Sequence, residues 1–331
     1  MKVKIILEAG INHNGSLNLA KKMVDVAAKS GADFIKFQTF KADSVVTKNA
    51  KRANYSVKNF KNNLTHYEML KKFELSEKDH FALIKYCKKK NISFLSSPFS
   101  IESFDFLNKL KLNTIKIPSG EITNLPFLKH VGKHKKKVII STGMSYLNEV
   151  KKALQILIKA GTEKKNITVL HCNTEYPSPF RDINLKAMIA IKKKLGVKIG
   201  YSDHSLGIIV PIAATAIGAS IIEKHFTLSK KLNGPDHKAS LSPSEVYQMV
   251  DSIRTTEKVL GSNIKKPSLS EKKNKIPARK SIVAKNFINK GDKFTEHNLT
   301  SKRPGNGISP MNWYKVIGKK SKKNYKKDDL I

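Results

Sequence analysis

Two histidines, His204 in GYSDHS and His225 in IIEKHF, each end a short run of strand-forming residues. Two neutral imidazoles on neighbouring strand ends can ligate a divalent metal and still leave positions open to water or substrate, and a carboxylate such as Glu223 or Asp236 can orient or supplement them. A hydrolytic relay built from Ser202, Asp203 and His204 is disfavoured, because adjacent strand residues point to opposite faces. Lys36 in FIKFQT and Lys116 in TIKIPSGE have apolar neighbours. An unpaired ammonium in a buried strand is expensive. A phosphate or carboxylate held by Lys36, Lys116 and Ser119 would offset that expense, and a Schiff-base lysine is the competing role. Glu8, Gln38 and Glu121 add carboxylate and amide groups at or just beyond the ends of similar runs.

Positioning such groups calls for a regular scaffold. Apolar runs bounded by turn residues predict strands over 5–9, 34–39, 93–97, 114–118, 138–142, 167–173, 198–202 and 221–226. Amphipathic stretches at 17–29, 77–89, 101–110, 146–159, 184–194 and 210–217 alternate with them. Eight strands each followed by a helix predict a (β/α)8 TIM barrel, an α/β fold whose sites lie at the C-terminal ends of its strands. Polar residues are therefore expected at that rim, above an apolar interior. After a last helix at 243–260 the chain turns rich in Lys, Ser, Asn and Pro, which reads as a linker over 263–278 between a barrel of 1–262 and a small β-rich domain of 279–331. In that domain the β-branched runs 281–284 and 299–302 are the candidate strands.

Composition bounds the function. The chain has 331 residues, 63 Lys and Arg against 26 Asp and Glu, and a formal charge of +37. That balance raises polyanion binding as a reading from another class. The lysines are spread over amphipathic helices instead of forming one basic arm with interleaved aromatics, so a Lys-rich solvated surface is preferred and no specific nucleic-acid partner is expected. No apolar run is long enough to cross a membrane, and Glu8 interrupts the opening MKVKIILEAG, so a cytoplasmic protein is expected. Cys87 and Cys172 lie far apart without metal-binding spacing.

The segments EAGINHNG, IKFQTFKAD, KIPSGEITNLP, ISTGM, LHCNTEYPSPF, GYSDHS, IEKHFTL, GPDHKAS, RKSIVAK and KRPGNGISPM occur in this order along essentially the whole chain. In them the chain resembles the sialic acid synthases, which condense phosphoenolpyruvate with an N-acetylated amino sugar. The resemblance implies a barrel joined to a C-terminal antifreeze-like (SAF) domain, in a swapped homodimer where that domain caps the partner's active site. By motif, His204 and His225 would hold Mn2+ or Mg2+. Lys36, Lys116, Ser119, Tyr176 and Ser202 would bind phosphoenolpyruvate, while Glu8, Gln38, Glu121 and Asp236 would serve the sugar or proton transfers. Arg303 would reach the partner's sugar. Thr174 stands where some members carry Asn. Glu121 is the candidate proton-transferring carboxylate. N-acetylmannosamine, giving N-acetylneuraminate, is the sugar expected first, with the diacetamido-trideoxy sugar that gives N,N'-diacetyllegionaminate as the alternative.

Overall fold

A computed structural model describes residues 2–331. The chain divides into two compact units, the first ending at Gly261 and the second starting at Ser262. In the first, eight parallel strands run β1 (Lys4–Gly10), β2 (Phe34–Thr39), β3 (Ser93–Pro98), β4 (Thr114–Ile117), β5 (Lys137–Ser141), β6 (Ile167–Cys172), β7 (Lys198–Asp203) and β8 (Ile221–His225). Their order is β3-β2-β1-β8-β7-β6-β5-β4, and the two ends of that order, β3 and β4, lie side by side. This is the TIM-type barrel that the alternating pattern predicts.

The helices are α1 (Leu17–Lys29), α2 (Ala42–Val45), α3 (Asn54–Asn59), α4 (His66–Phe73), α5 (Glu77–Lys89), α6 (Ile101–Lys109), α7 (Leu125–Lys133), α8 (Leu147–Ala160), α9 (Lys186–Leu195), α10 (Ile209–Ala216) and α11 (Pro243–Leu260). Local chemistry sets their starts: Ser76 and Asp79 form a capping box on α5, and Ser242 and Glu245 do so on α11, where Pro243 occupies the first turn. Lys88, Lys89 and Lys192 to Lys194 are exposed, as a solvated lysine surface requires. No helix among the described residues is long and apolar enough to cross a membrane.

Strand alternation sorts the side chains into two populations. Outward residues such as Ile5, Leu7, Ile35, Ile115, Ile140 and Val169 join the helices in the larger core. Inward, Ile6, Leu95, Ile139, Leu170 and Ile221 make a separate apolar plug. Gly200 belongs to that layer, where an added Cβ would come within 2.3 Å of the Ile221 carbonyl and 2.6 Å of Leu170.

In the second unit, β9 (Ser281–Ala284) pairs antiparallel with β10 (Leu299–Lys302). Ile282, Ala284, Ile288, Phe294, Leu299, Val316 and Tyr325 form its own small core. The segment expected as a linker contains two one-turn helices, α12 (Leu269–Lys272) and α13 (Lys275–Ala278), the latter held by the Gly305 amide donating to the Ile276 carbonyl at 2.8 Å.

Candidate active site

Two residues beyond the plug along each strand, on the same inward-facing rows, the interior changes character. Glu8, Lys36, Lys116 and Glu223 occupy the next layer, each buried. Lys36 Nζ lies 2.8 Å from Glu8 and 3.8 Å from Glu223, and donates to Ser97 Oγ at 3.1 Å. Lys116 Nζ donates to Glu223 Oε1 at 2.9 Å, which also accepts from Ser202 Oγ at 2.9 Å. This corrects two expectations. The interior is polar below the rim, and the lysines are not unpaired, because two carboxylates on neighbouring strands already balance them. Glu223 is accordingly engaged by Lys116, Lys36 and Ser202, and among the described residues it makes no hydrogen bond to either histidine.

Burial opposes charge on all four groups, and the neighbours decide each outcome. For Glu223, Lys116 and Lys36 overcome burial and lower its carboxyl to about 2. For Glu8, burial prevails over Lys36 and the carboxyl is raised. Lys36 is held above the usual lysine range because Glu223 and Glu8 outweigh its burial, whereas Lys116 is pushed down by burial and by Lys36.

Above this layer opens a cavity of about 530 Å³. Its wall includes Glu8, Lys36, Gln38, Lys116, Ser119, Thr174, Tyr176, Ser202, His204, Glu223, His225 and Asp236, so twelve of the fourteen residues singled out in the sequence converge on one space. The two others do not line it. Glu121 sits in a one-turn 3-10 helix (Ser119–Glu121) whose first two residues line the cavity, and its Oε2 accepts from Asn124 Nδ2 at 2.6 Å. Burial raises the Glu121 carboxyl. Arg303 lies in the second unit, where its Nε donates to the Ala278 carbonyl at 3.1 Å.

The His204 and His225 rings stand 5.3 Å apart, with the Tyr176 ring 4.0 Å from His204 and 5.5 Å from His225. His204 Nδ1 bonds to the Asn173 carbonyl, which fixes this nitrogen as the protonated one and leaves Nε2 with a lone pair. His225 Nδ1 is buried without a hydrogen-bond partner, and Asp236 Oδ2 stands 4.0 Å from it. Glu223 Oε2 likewise lacks a hydrogen-bond partner, with Lys36 Nζ 3.8 Å away. Burial lowers His204 to about 4, and burial with His204 beside it takes His225 well down, so both rings are neutral at pH 7. Burial and Glu8 raise Asp236 to about 7. Gly10, at φ +51 after a register shift in β1, makes room for this arrangement: an added Cβ would meet the His225 ring at 3.3 Å. Two neutral imidazoles, an orphaned ring nitrogen and a flanking carboxylate fit a divalent cation.

Below His204 the outward-facing Asp203 and Lys224 pair side by side on β7 and β8, both wholly buried. Asp203 also accepts from the Ser205 amide and hydroxyl at 3.0 Å each, and Lys224 donates to the Ser205 carbonyl. The residues flanking His204 are thus clamped from outside the barrel.

Residues 40–76, between β2 and α5, supply a wall that the motif reading missed. Phe40, Val45, Ala53, Met69 and Leu70 line the cavity with Ile11. From the same segment Tyr55 stacks on Tyr176 at 4.7 Å, and Asn59 Nδ2 donates to the Tyr176 carbonyl at 2.9 Å. The signal was length: a βα connection in such a fold is usually 2–6 residues, and longer ones are frequently functional.

The NeuB family model matches residues 23–265, and the SAF domain model matches residues 279–331. The chain belongs to the NeuB family. It is 54% identical to the N,N'-diacetyllegionaminic acid synthase of Campylobacter jejuni, over 100% of this chain and 99% of that protein. It is 45% identical to the N,N'-diacetyllegionaminic acid synthase of Legionella pneumophila, over 97% of this chain and 90% of that one. Among solved structures, the N-acetylneuraminic acid synthetase of Leptospira borgpetersenii in complex with citrate is similar at 35% identity and a TM-score of 0.72, covering 83% of this chain and 90% of that one.

Proposed function

We propose that this NeuB-family chain condenses phosphoenolpyruvate with 2,4-diacetamido-2,4,6-trideoxymannose and water to give N,N'-diacetyllegionaminate and phosphate. The observation that carries the choice is whole-length identity of 54% and 45% to two proteins named for that product, against 35% to a sialic acid synthetase. N-acetylmannosamine, the sugar expected first, gives way on this ground. The cavity supports the change. A sugar with a methyl at C6 and a second acetamido group offers apolar surface to Val45, Met69 and Leu70, and its second amide finds polar neighbours among Asn54, Ser56 and His66 of the same wall.

In this reading Lys36 and Lys116 turn from Glu8 and Glu223 toward the phosphate and carboxylate of phosphoenolpyruvate, with Ser119, Ser202 and Tyr176 as hydroxyl donors. Burial raises the Tyr176 hydroxyl well above its ordinary range, which keeps it a donor at working pH. Gln38, whose amide donates to Glu8 at 3.3 Å, and Asp236 orient the sugar, and Thr174 borders the same space. Held by His204 and His225, Mn2+ or Mg2+ would polarise the open-chain aldehyde. Carbon 3 of phosphoenolpyruvate then attacks that carbonyl, water adds at carbon 2, and phosphate leaves with its bridging oxygen. The buried ammonium groups stabilise the charge that moves between these centres. Glu121 serves proton transfer by turning inward from Asn124. Arg303 completes the sugar site of a partner in a swapped dimer. A cytoplasmic location suits both substrates.

The test follows the oxygen. With bridging-18O phosphoenolpyruvate, the diacetamido sugar and Mn2+, the label is expected in released phosphate, and chelation is expected to abolish release. Label retained in the sugar product, or turnover that survives chelation, would overturn the scheme. Borohydride trapping of a substrate adduct at Lys36 or Lys116 would favour a Schiff-base route instead.

A further inference from the structure

We propose a second metal site, for a borderline transition cation such as Zn2+, formed by Asp105, His130 and His134 on the outer helical layer. Among the described residues these three are the one group whose ligand atoms all lie within 4.8 Å of one another. His130 and His134 are four residues apart on and just after α7, which places both imidazoles on one helical face. Asp105 comes from the neighbouring α6, and its Oδ1 lies 2.7 Å from His130 Nε2. His134 caps the C-terminal end of α7, three residues before β5 begins. The cluster therefore sits near the N-terminal ends of the strands, at the opposite end of the barrel from the cavity.

Three features make this a built arrangement. The wholly buried Phe104 lies under both rings, with centroids 5.4 Å from His130 and 4.9 Å from His134, and so limits their rotation. Gly132, between the two histidines, lets α7 seat tightly on α8: an added Cβ would come within 2.5 Å of the Ala160 side chain and 2.9 Å of the Leu157 carbonyl. That contact fixes which face of α7 turns to α6. Asn108, one turn beyond Asp105, has its amide group 3.2 Å from His134 Nδ1. Amide oxygen and nitrogen are interchangeable by a flip, so Asn108 can accept from Nδ1–H and present Nε2 to a cation.

Two imidazoles and one carboxylate select Zn2+, Co2+ or Ni2+ over the oxygen-preferring Mg2+ and Mn2+, with a fourth position left to water. Lys133 and Lys136 stand close by and weaken the attraction for a cation without occupying its ligands. A bound ion would tie α6 to α7.

The experiment uses full-length, chelator-stripped protein in equilibrium dialysis against Zn2+, with Co2+ absorption as a second readout. Wild type and the cavity variant His204→Ala are expected to hold the outer equivalent, shown by a tetrahedral Co2+ spectrum and a Zn2+-dependent rise in Tm. His134→Ala and the milder His134→Gln are expected to lose that equivalent, that spectrum and that Tm response, with turnover in Mn2+ unchanged. Asp105→Asn is expected to bind Zn2+ at least tenfold more weakly. Equal Zn2+ equivalents and the same Co2+ spectrum in wild type and both His134 variants would overturn the site and leave Asp105 and His130 as an interhelical hydrogen bond. Because no cavity residue is altered in those variants, this result is independent of the proposed synthase activity.

Discussion

Replacing Lys224 by Met removes the partner of a carboxylate that has no route to water. Asp203 and Lys224 are both 0% exposed, and Asp203 keeps only the Ser205 amide and hydroxyl when the lysine goes. At an effective dielectric constant of about 20, opposite charges about 3 Å apart attract by roughly 5–6 kcal/mol. That attraction agrees with the roughly 3–5 kcal/mol lost when one member of a buried pair is removed, a large share of the ~5–15 kcal/mol that stabilises a domain. Urea unfolding followed by far-UV circular dichroism reports the barrel, because Trp313, the one tryptophan, lies in the second unit. Lys224→Met is expected to lower stability by about 3–5 kcal/mol, and the double variant Asp203→Asn/Lys224→Met by distinctly less than the sum of the single changes. Since His204 lies between the two clamped residues, the Mn2+ concentration for half-maximal turnover should also rise, by about tenfold. A single-variant loss under about 1 kcal/mol, or additivity in the double variant, would refute the clamp.

Glu121→Gln should reduce phosphate release by about 10²-fold or more while leaving phosphoenolpyruvate affinity near wild type, as expected for a proton-transfer group; near-normal release removes Glu121 from the mechanism. Mixing Glu121→Gln with Arg303→Ala chains under exchange should restore about a quarter of wild-type activity, because half of the randomly mixed dimers then hold one intact site; no recovery after proven exchange argues against a shared site. Glu223 is lowered from 4.5 to about 2 in the folded chain. Its stabilisation is therefore complete above about pH 4.5 and is lost as pH falls toward about 2. Glu223→Gln should remove that part of the acid titration of stability, measured by urea midpoints across the interval, and an unchanged acid profile contradicts the pairing with Lys116 and Lys36.

The barrel was legible because buried parallel strands and amphipathic helices leave different periodicities, and α1, α5 and α11 start and stop at the residues their caps and apolar spacing indicate. The rim histidines and lysines were legible because polar residues in apolar runs stand out. What alternation could not reveal was depth. Lys36 and Lys116 read as anion sites at the rim, yet their carboxylate partners come from β1 and β8, and only strand register brings Glu8 level with Lys36. The α2–α4 segment escaped notice because three short helices leave no sustained period, and α7 is a nine-residue helix with Pro126 in its first turn and Gly132 near its end, too short for a clear period. The Asp105, His130 and His134 group spans two helices and was invisible without their packing. Asp203 read only as a disfavoured relay member and Lys224 carried no signal of its own, and their full burial as a pair emerges only when β7 and β8 are aligned.

Everything in the reaction scheme except the product's identity is common to both sugars, so the choice of sugar decides it. That choice is tested most directly by presenting purified protein with phosphoenolpyruvate, Mn2+ and equal concentrations of 2,4-diacetamido-2,4,6-trideoxymannose and N-acetylmannosamine, and weighing the products by mass spectrometry. Loss of favourable contacts at one apolar group is worth about 1–3 kcal/mol, so the diacetamido sugar is expected to lead by about 10- to 100-fold in kcat/KM. N-acetylneuraminate as the main product would contradict it.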